Sequence, residues 1–108
     1  MIDTIERLYR IILERKKNPV EGSYTAYLFE QGTDKILKKI GEECSEVIIS
    51  AKNEKKADTI YEISDLVYHL LVLMGHMGIS PAEIEAELAE RAKKQGNLKK
   101  PKTVDRNS

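Results

Sequence analysis

Apolar residues recur every three or four positions along most of this chain. Ile2, Ile5, Leu8, Tyr9, Ile12 and Leu13 begin the series, with charges between them. That spacing predicts a helix over about Ile2 to Lys17. Asn18-Pro19 stops it, because the residue before a proline is crowded out of helical geometry. Val20 to Ser23 reads as a loop, and Tyr24 to Gln31 as a short helix closed by Gly32. Thr33 is expected at an N-cap with Asp34 in the first turn, opening a second long helix to about Asn53. Its apolar members are Ile36, Leu37, Ile40, Cys44, Val47, Ile48 and Ala51, a stripe about 120° wide on a helical wheel.

Glu54 to Lys56 reads as a solvated connection. Asp58 or Thr59 is expected to cap a third long helix running to about Met77. Ile60, Ile63, Leu66, Val67, Leu70, Leu71, Leu73, Met74 and Met77 cover more than half of its circumference. A helix that apolar is central, or is shared with a second subunit. Ser80-Pro81-Ala82-Glu83 is a capping box with proline at the first helical position, and it starts a last helix to about Lys94. The polar segment from Gln95 to Ser108 is expected to be a loosely ordered tail. The fold class expected is therefore all-α: an antiparallel bundle of four to five helices over residues 1–94, completed by dimerisation, with a tail over 95–108.

Composition narrows the function. Eighteen basic and eighteen acidic side chains cancel to zero net charge over 108 residues. A nucleic-acid binder ordinarily carries a basic excess, so that class is disfavoured. The single cysteine, Cys44, excludes an intramolecular disulfide and a zinc site of several thiolates. The N-terminus shows no signal-peptide pattern, and the longest apolar run, Leu70 to Gly75, is far short of a membrane span. A soluble, cytoplasmic protein is expected.

Two carboxylate pairs carry the candidate chemistry. Glu43 and Glu46 lie on the second long helix, and Glu62 and Asp65 on the third. Each pair is spaced i, i+3 and so shares one helix face, where like charges repel unless something offsets them. On the second long helix, Lys35, Lys39, Glu43, Glu46, Ser50 and Asn53 form a polar stripe beside the apolar one. On the third, Glu62, Asp65, His69 and His76 form another. Antiparallel packing of the two helices would bring four carboxylates into one cleft. Oxygen-only ligands select Mg²⁺ first and Mn²⁺ next. The chemistry that suits is attack of water on a phosphoanhydride, with Lys35 and Lys39 adding positive charge near the polyphosphate. A carboxylate-bridged di-iron bundle favours Glu-x-x-His pairs. Here the third position after Glu62 is Asp65, and after Glu43 it is Glu46.

The pattern Glu42-Glu43-x-x-Glu46 followed by Glu62-x-x-Asp65 resembles the signature of the all-α nucleotide pyrophosphohydrolases. Ser23-Tyr24-Thr25, Leu28-Phe29, Asp34-Lys35-Ile36, Gly41-Glu42-Glu43, Ala51-Lys52-Asn53 and Tyr68-His69-Leu70-Leu71 closely resemble the phosphoribosyl-ATP pyrophosphohydrolase family. The resemblance covers roughly residues 2 to 92. It implies hydrolysis of phosphoribosyl-ATP to phosphoribosyl-AMP and pyrophosphate, the second step of histidine biosynthesis. It also implies Mg²⁺, and a homodimer or higher assembly with long helices at the interface. On that reading Glu43, Glu46, Glu62 and Asp65 are the catalytic carboxylates and hold the metal, while Lys35, Lys39, Lys52 and Asn53 lie on the substrate side. Glu42, about 100° away on the wheel, is expected to order a neighbouring lysine.

Cys44 stands where such sequences commonly carry alanine, and a small buried thiol is expected there. Family members are often fused to a zinc cyclohydrolase. The length and the single cysteine leave no room for that domain, so the pyrophosphohydrolase step is expected alone. His69, one turn after Asp65, either bonds a carboxylate, reaches substrate or is simply packed. His76 reads as structural. Tyr24 and Tyr68 are placed for core packing or for stacking on a base. Two other functions fit part of the pattern: a house-cleaning nucleoside triphosphate pyrophosphohydrolase, which shares the carboxylates, and a non-catalytic helical dimerisation module, which would leave them without metal.

Overall fold

The computed structural model describes residues 2–95. All of its elements are helices: α1 (Ile2–Lys17), α2 (Tyr24–Gln31), α3 (Thr33–Lys52), α4 (Lys56–Met77) and α5 (Pro81–Gln95). The expectation of a loose tail falls on residues 96–108, outside the described residues, while Gln95 closes α5.

The most extensive contact is between α3 and α4. They run antiparallel: Thr33 at the start of α3 bonds His76 near the end of α4 (Oγ1 to Nε2, 2.8 Å), and Glu43 further along α3 lies against Glu62 and Asp65. α1 packs against α4 as well. The Tyr9 hydroxyl donates to the Ile79 carbonyl, and the Lys16 ammonium donates to the Gly75 carbonyl at 3.0 Å. That carbonyl belongs to the last turn of α4, where no backbone N–H is left to meet it. Gly75 also faces both neighbouring helices. A Cβ there would lie in ordinary contact, 3.4 Å from Leu13 and Phe29 and 3.5 Å from Ile12, so α1 and α2 both reach α4 at this turn. Tyr9, Ile12, Leu28, Ile36, Leu71 and Val72 form the core so enclosed.

Two helix starts differ from the expectation. Gly32, at φ 87° and ψ −168°, occupies the cap position of α3. That geometry favours glycine, and it places Thr33 inside the helix with its hydroxyl free to reach His76. α4 begins earlier than Asp58 or Thr59, with Lys55 as its cap residue and Asp58 in its first turn. The reason is the tightness of the preceding turn. Glu54 takes φ 56°, its N–H bonds the Ala51 carbonyl (3.0 Å), and the Lys55 N–H bonds the Ser50 carbonyl (3.2 Å). This Schellman closure uses so few residues that the next helix starts at once. Asp58 then faces the positive helix end without capping it, and the Thr59 hydroxyl bonds back to the Lys55 carbonyl at 2.8 Å.

The capping box is where the sequence puts it. The Glu83 N–H donates to Ser80 Oγ at 3.2 Å, and Glu83 Oε1 accepts from the Ser80 N–H at 3.4 Å. It starts α5 at 110° to α4. Among the described residues no single helix is long and apolar enough to cross a membrane.

Cys44 is exposed, contrary to the buried thiol expected. The covered seam of α3 runs Ile36, Ile40, Glu43, Val47, Ser50. The apolar stripe is wider than this seam, so Leu37, Cys44, Ile48 and Ala51 lie on an edge that no other helix covers among the described residues.

Candidate active site

Glu43 occupies a seam position of α3, between Ile40 and Val47, where the bundle would ordinarily place an apolar side chain. Across from it, Glu62, Asp65 and His69 follow one another along the inner face of α4. Carboxylate oxygens of Glu43, Glu62 and Asp65 all lie within 4.8 Å of one another. Glu46 is outside that group and exposed. The seam continues from Glu43 to Val47, four residues on, and a step of three turns a side chain toward the flank instead. Its charge still reaches the group, because it acts on Glu62.

Three acids in partial burial repel one another. Burial pushes the Glu62 carboxyl above its ordinary value near 4.5, and the charge of Glu46, a contact with Glu43, and the charges of Glu43 and Asp65 push it further. The contact with Glu43 is a hydrogen bond only when one of the two carboxyls keeps a proton. Glu43 Oε2 is buried and finds no hydrogen-bond partner among the described residues. A buried carboxylate oxygen without a donor is costly, and a cation lying among the three acids removes that cost. The residues present therefore fit a hard divalent cation, by oxygen chemistry, by mutual spacing and by an orphaned buried acceptor.

The positive groups on α3 precede the acids by one and two turns. Lys39 pairs with Glu42 at 3.5 Å, so Glu42 orders a lysine and stays out of the acidic group. Tyr24 and Glu42 hold the Lys39 ammonium above its ordinary value. The Lys35 ammonium lies 6.0 Å from the centre of the Tyr27 ring. Lys52 and Asn53 are exposed at the far end of α3. Nine or ten residues of helix put them about 14 Å beyond Glu43 along the axis, so the chain does not bring them to the acids.

Two sequence motifs, far apart in the chain, bond to each other. Ser23 caps α2 by accepting from the Ala26 N–H at 3.1 Å. The next two residues then reach α4: the Tyr24 hydroxyl meets His69 Nε2 at 3.0 Å, and the Thr25 hydroxyl meets that of Tyr68. His69 Nδ1 faces the Asp65 carbonyl at 2.8 Å. A carbonyl only accepts, so Nδ1 donates to it, and Nε2 is left to meet the Tyr24 hydroxyl. His69 is thus a buried, bonded side chain one turn from Asp65, and it touches the Asp65 backbone, not its carboxylate. No local spacing signals this link, which spans 45 residues. His76 stacks on Phe29 at 6.4 Å besides bonding Thr33, in a structural position.

Residues 5–92 match the profile of the phosphoribosyl-ATP pyrophosphohydrolase family. The chain belongs to that family. Among relatives, it is 55% identical over 98 residues to a phosphoribosyl-ATP pyrophosphatase of Clostridium novyi, covering 91% of this chain and 89% of that one. It is 57% identical over 93 residues to the phosphoribosyl-ATP pyrophosphatase of Pelotomaculum thermopropionicum, covering 86% and 95%. A histidine biosynthesis bifunctional protein of Caldanaerobacter subterraneus is 55% identical over 93 residues, which are 86% of this chain and 45% of that protein. Membership in a pyrophosphohydrolase family makes this an all-α hydrolase and bears out both the family and the enzyme class read from the motifs.

Proposed function

We propose that this chain hydrolyses phosphoribosyl-ATP to phosphoribosyl-AMP and pyrophosphate, the second step of histidine biosynthesis, with Mg²⁺ held by Glu43, Glu62 and Asp65. Glu46 completes the acidic group from its flank. The observation that carries this reading is the orphaned Glu43 Oε2, buried among acids within 4.8 Å of one another, in a member of this family. A bound divalent cation shields the phosphate charge and lowers the pKa of coordinated water. The rest is done by the protein. Glu43, Glu62 and Asp65 would hold that cation at the seam, and its charge, not theirs, would keep the anhydride there. Lys39, one turn before Glu43, meets the negative charge of the α-phosphate and its ribose side. Lys35 answers the phosphate of the phosphoribosyl group. Lys52 and Asn53, about 14 Å beyond Glu43 and with Lys52 half a turn round the helix from it, take no part in this reading. As water adds to phosphorus, the anhydride P–O bond breaks, and one of the glutamates takes up the released proton.

The exposed apolar edge of α3, with Ile60, Tyr61, Ile63 and Met77 on α4, supports a homodimer or higher homo-oligomer. The deciding experiment is pyrophosphate release from phosphoribosyl-ATP with and without Mg²⁺, alongside a panel of nucleoside triphosphates. Turnover restricted to phosphoribosyl-ATP is expected. Equal turnover of the triphosphates would instead mark a house-cleaning enzyme. Asp65→Asn should reduce turnover by about a hundredfold to a thousandfold while circular dichroism stays helical, on the scale of losing one electrostatic group in an active site. A folded Asp65→Asn variant with full activity would reject the site.

A further inference from the structure

The start of α2 presents an aromatic surface that metal and phosphate chemistry does not use. Tyr24 and Tyr27, one helical turn apart, keep 43% and 41% of their surface exposed. Tyr24 is nonetheless rigidly held. Its hydroxyl is bonded to His69, which is only 5% exposed, and Ser23 caps the helix one residue earlier. Tyr27 and Tyr68 flank its ring at 6.2 Å each, with interplanar angles of 25° and 27°, and the His69 ring stands edge-on at 5.8 Å. Tyr68 differs in being half-buried, with its hydroxyl committed to Thr25. A large ring kept partly in water at a fixed orientation gives up little conformational freedom when a flat ligand settles on it.

The position of this ring matters as much as its exposure. Tyr24 is close enough to Lys39, Glu43 and Glu42 for all three charges to act on its phenol. The row of Lys35, Lys39 and Glu43 on α3 thus runs past the tyrosines of α2 and into the acidic group, each step about one helical turn of 5.4 Å. A nucleotide with its α-phosphate at the acids needs something flat, apolar and aromatic within one or two turns, on the side of the lysines.

We propose that Tyr24, backed by Tyr27 and Tyr68 and anchored by His69, is the stacking surface for the purine base of the substrate. This rests on the nucleotide reading above and assigns its base subsite to a residue outside the carboxylate signature. Every purine nucleotide has the face that Tyr24 needs, so this contact selects for a base, and the lysines and acids select for the phosphates.

The test compares two Mg²⁺-loaded probes by calorimetry: α,β-methylene-ATP, which has a base, and inorganic tripolyphosphate, which does not. Loss of one base–aromatic stack is expected to weaken the nucleotide about tenfold in Tyr24→Leu. Tripolyphosphate affinity should be unchanged, and Tyr24→Phe should retain most of the nucleotide affinity. In the wild-type protein, the purine H2 and H8 resonances should shift upfield on binding, an observation that needs no variant to fold. Equal weakening of both probes, or of neither, overturns the assignment, as does the absence of an upfield shift. If the wild-type protein also turns over phosphoribosyl-ATP, only the stacking role has failed. A wild-type protein that binds neither probe and releases no pyrophosphate overturns both.

Discussion

Glu43 shows how one side chain can be destabilising for the fold and necessary for the reaction. It interrupts the apolar seam of α3 and leaves an oxygen without a donor. Glu43→Gln is expected to abolish the rise in melting temperature that Mg²⁺ gives the wild-type protein by binding only the native state, and to abolish turnover without lowering stability in EDTA. Calorimetry with and without Mg²⁺ checks both. Glu62 makes a related prediction about pH. Its carboxyl is raised in the folded state by burial first and by Glu46, Glu43 and Asp65 after that. A raised carboxyl favours the folded state most below its ordinary value near 4.5 and loses that contribution as pH climbs through the raised value. In EDTA, Glu62→Gln should therefore melt above wild type at about pH 7.5, and the gap should close toward about pH 4.5. A constant gap across that range would mean that the carboxyl is not shifted.

At the level of elements, the ends of helices separate what the sequence makes legible from what it does not. α1, α2 and the start of α5 could be read because their signals are local: Asn18-Pro19, the Ser23 cap, and the Ser80 to Glu83 box lie within a few residues of the boundary they set. The start of α4 could not, because it depends on a non-glycine residue, Glu54, taking a left-handed conformation. That choice carries strain of about 1 kcal/mol. Glu54→Gly should relieve it and raise the melting temperature by a few degrees, and a drop would show that the turn is held by something else. In the site, the i, i+3 spacing of Glu62 and Asp65 was legible, since both lie on the seam of α4. The same spacing misplaces Glu46, because the seam of α3 advances by four at that point. The tie between Tyr24 and His69 was not legible at all, because only the folded bundle brings residues 45 positions apart together.

Over the described residues the molecule is a bundle that leaves much apolar surface open to water. Ile48 is 67% exposed and Met77 63%, with Leu37, Ile60, Tyr61 and Ile63 also open to water. A chain of this length buries only about two thirds of its unfolded surface, and a second copy is the simplest way to bury more. Sedimentation should report a species of at least twice the 12.3 kDa chain mass. Ile48→Lys should shift it toward the monomer and make the melting temperature depend on protein concentration. An unchanged sedimentation profile would place the interface on another face.

The exposure of Cys44 has a practical consequence. It is the only thiol in the chain, and it projects from the edge of α3 away from the acids. In the separate chain a maleimide would reach it freely, whereas an assembly built on that edge would shield it. The rate at which Cys44 is alkylated at rising protein concentration therefore reports whether the α3 edge is covered in solution.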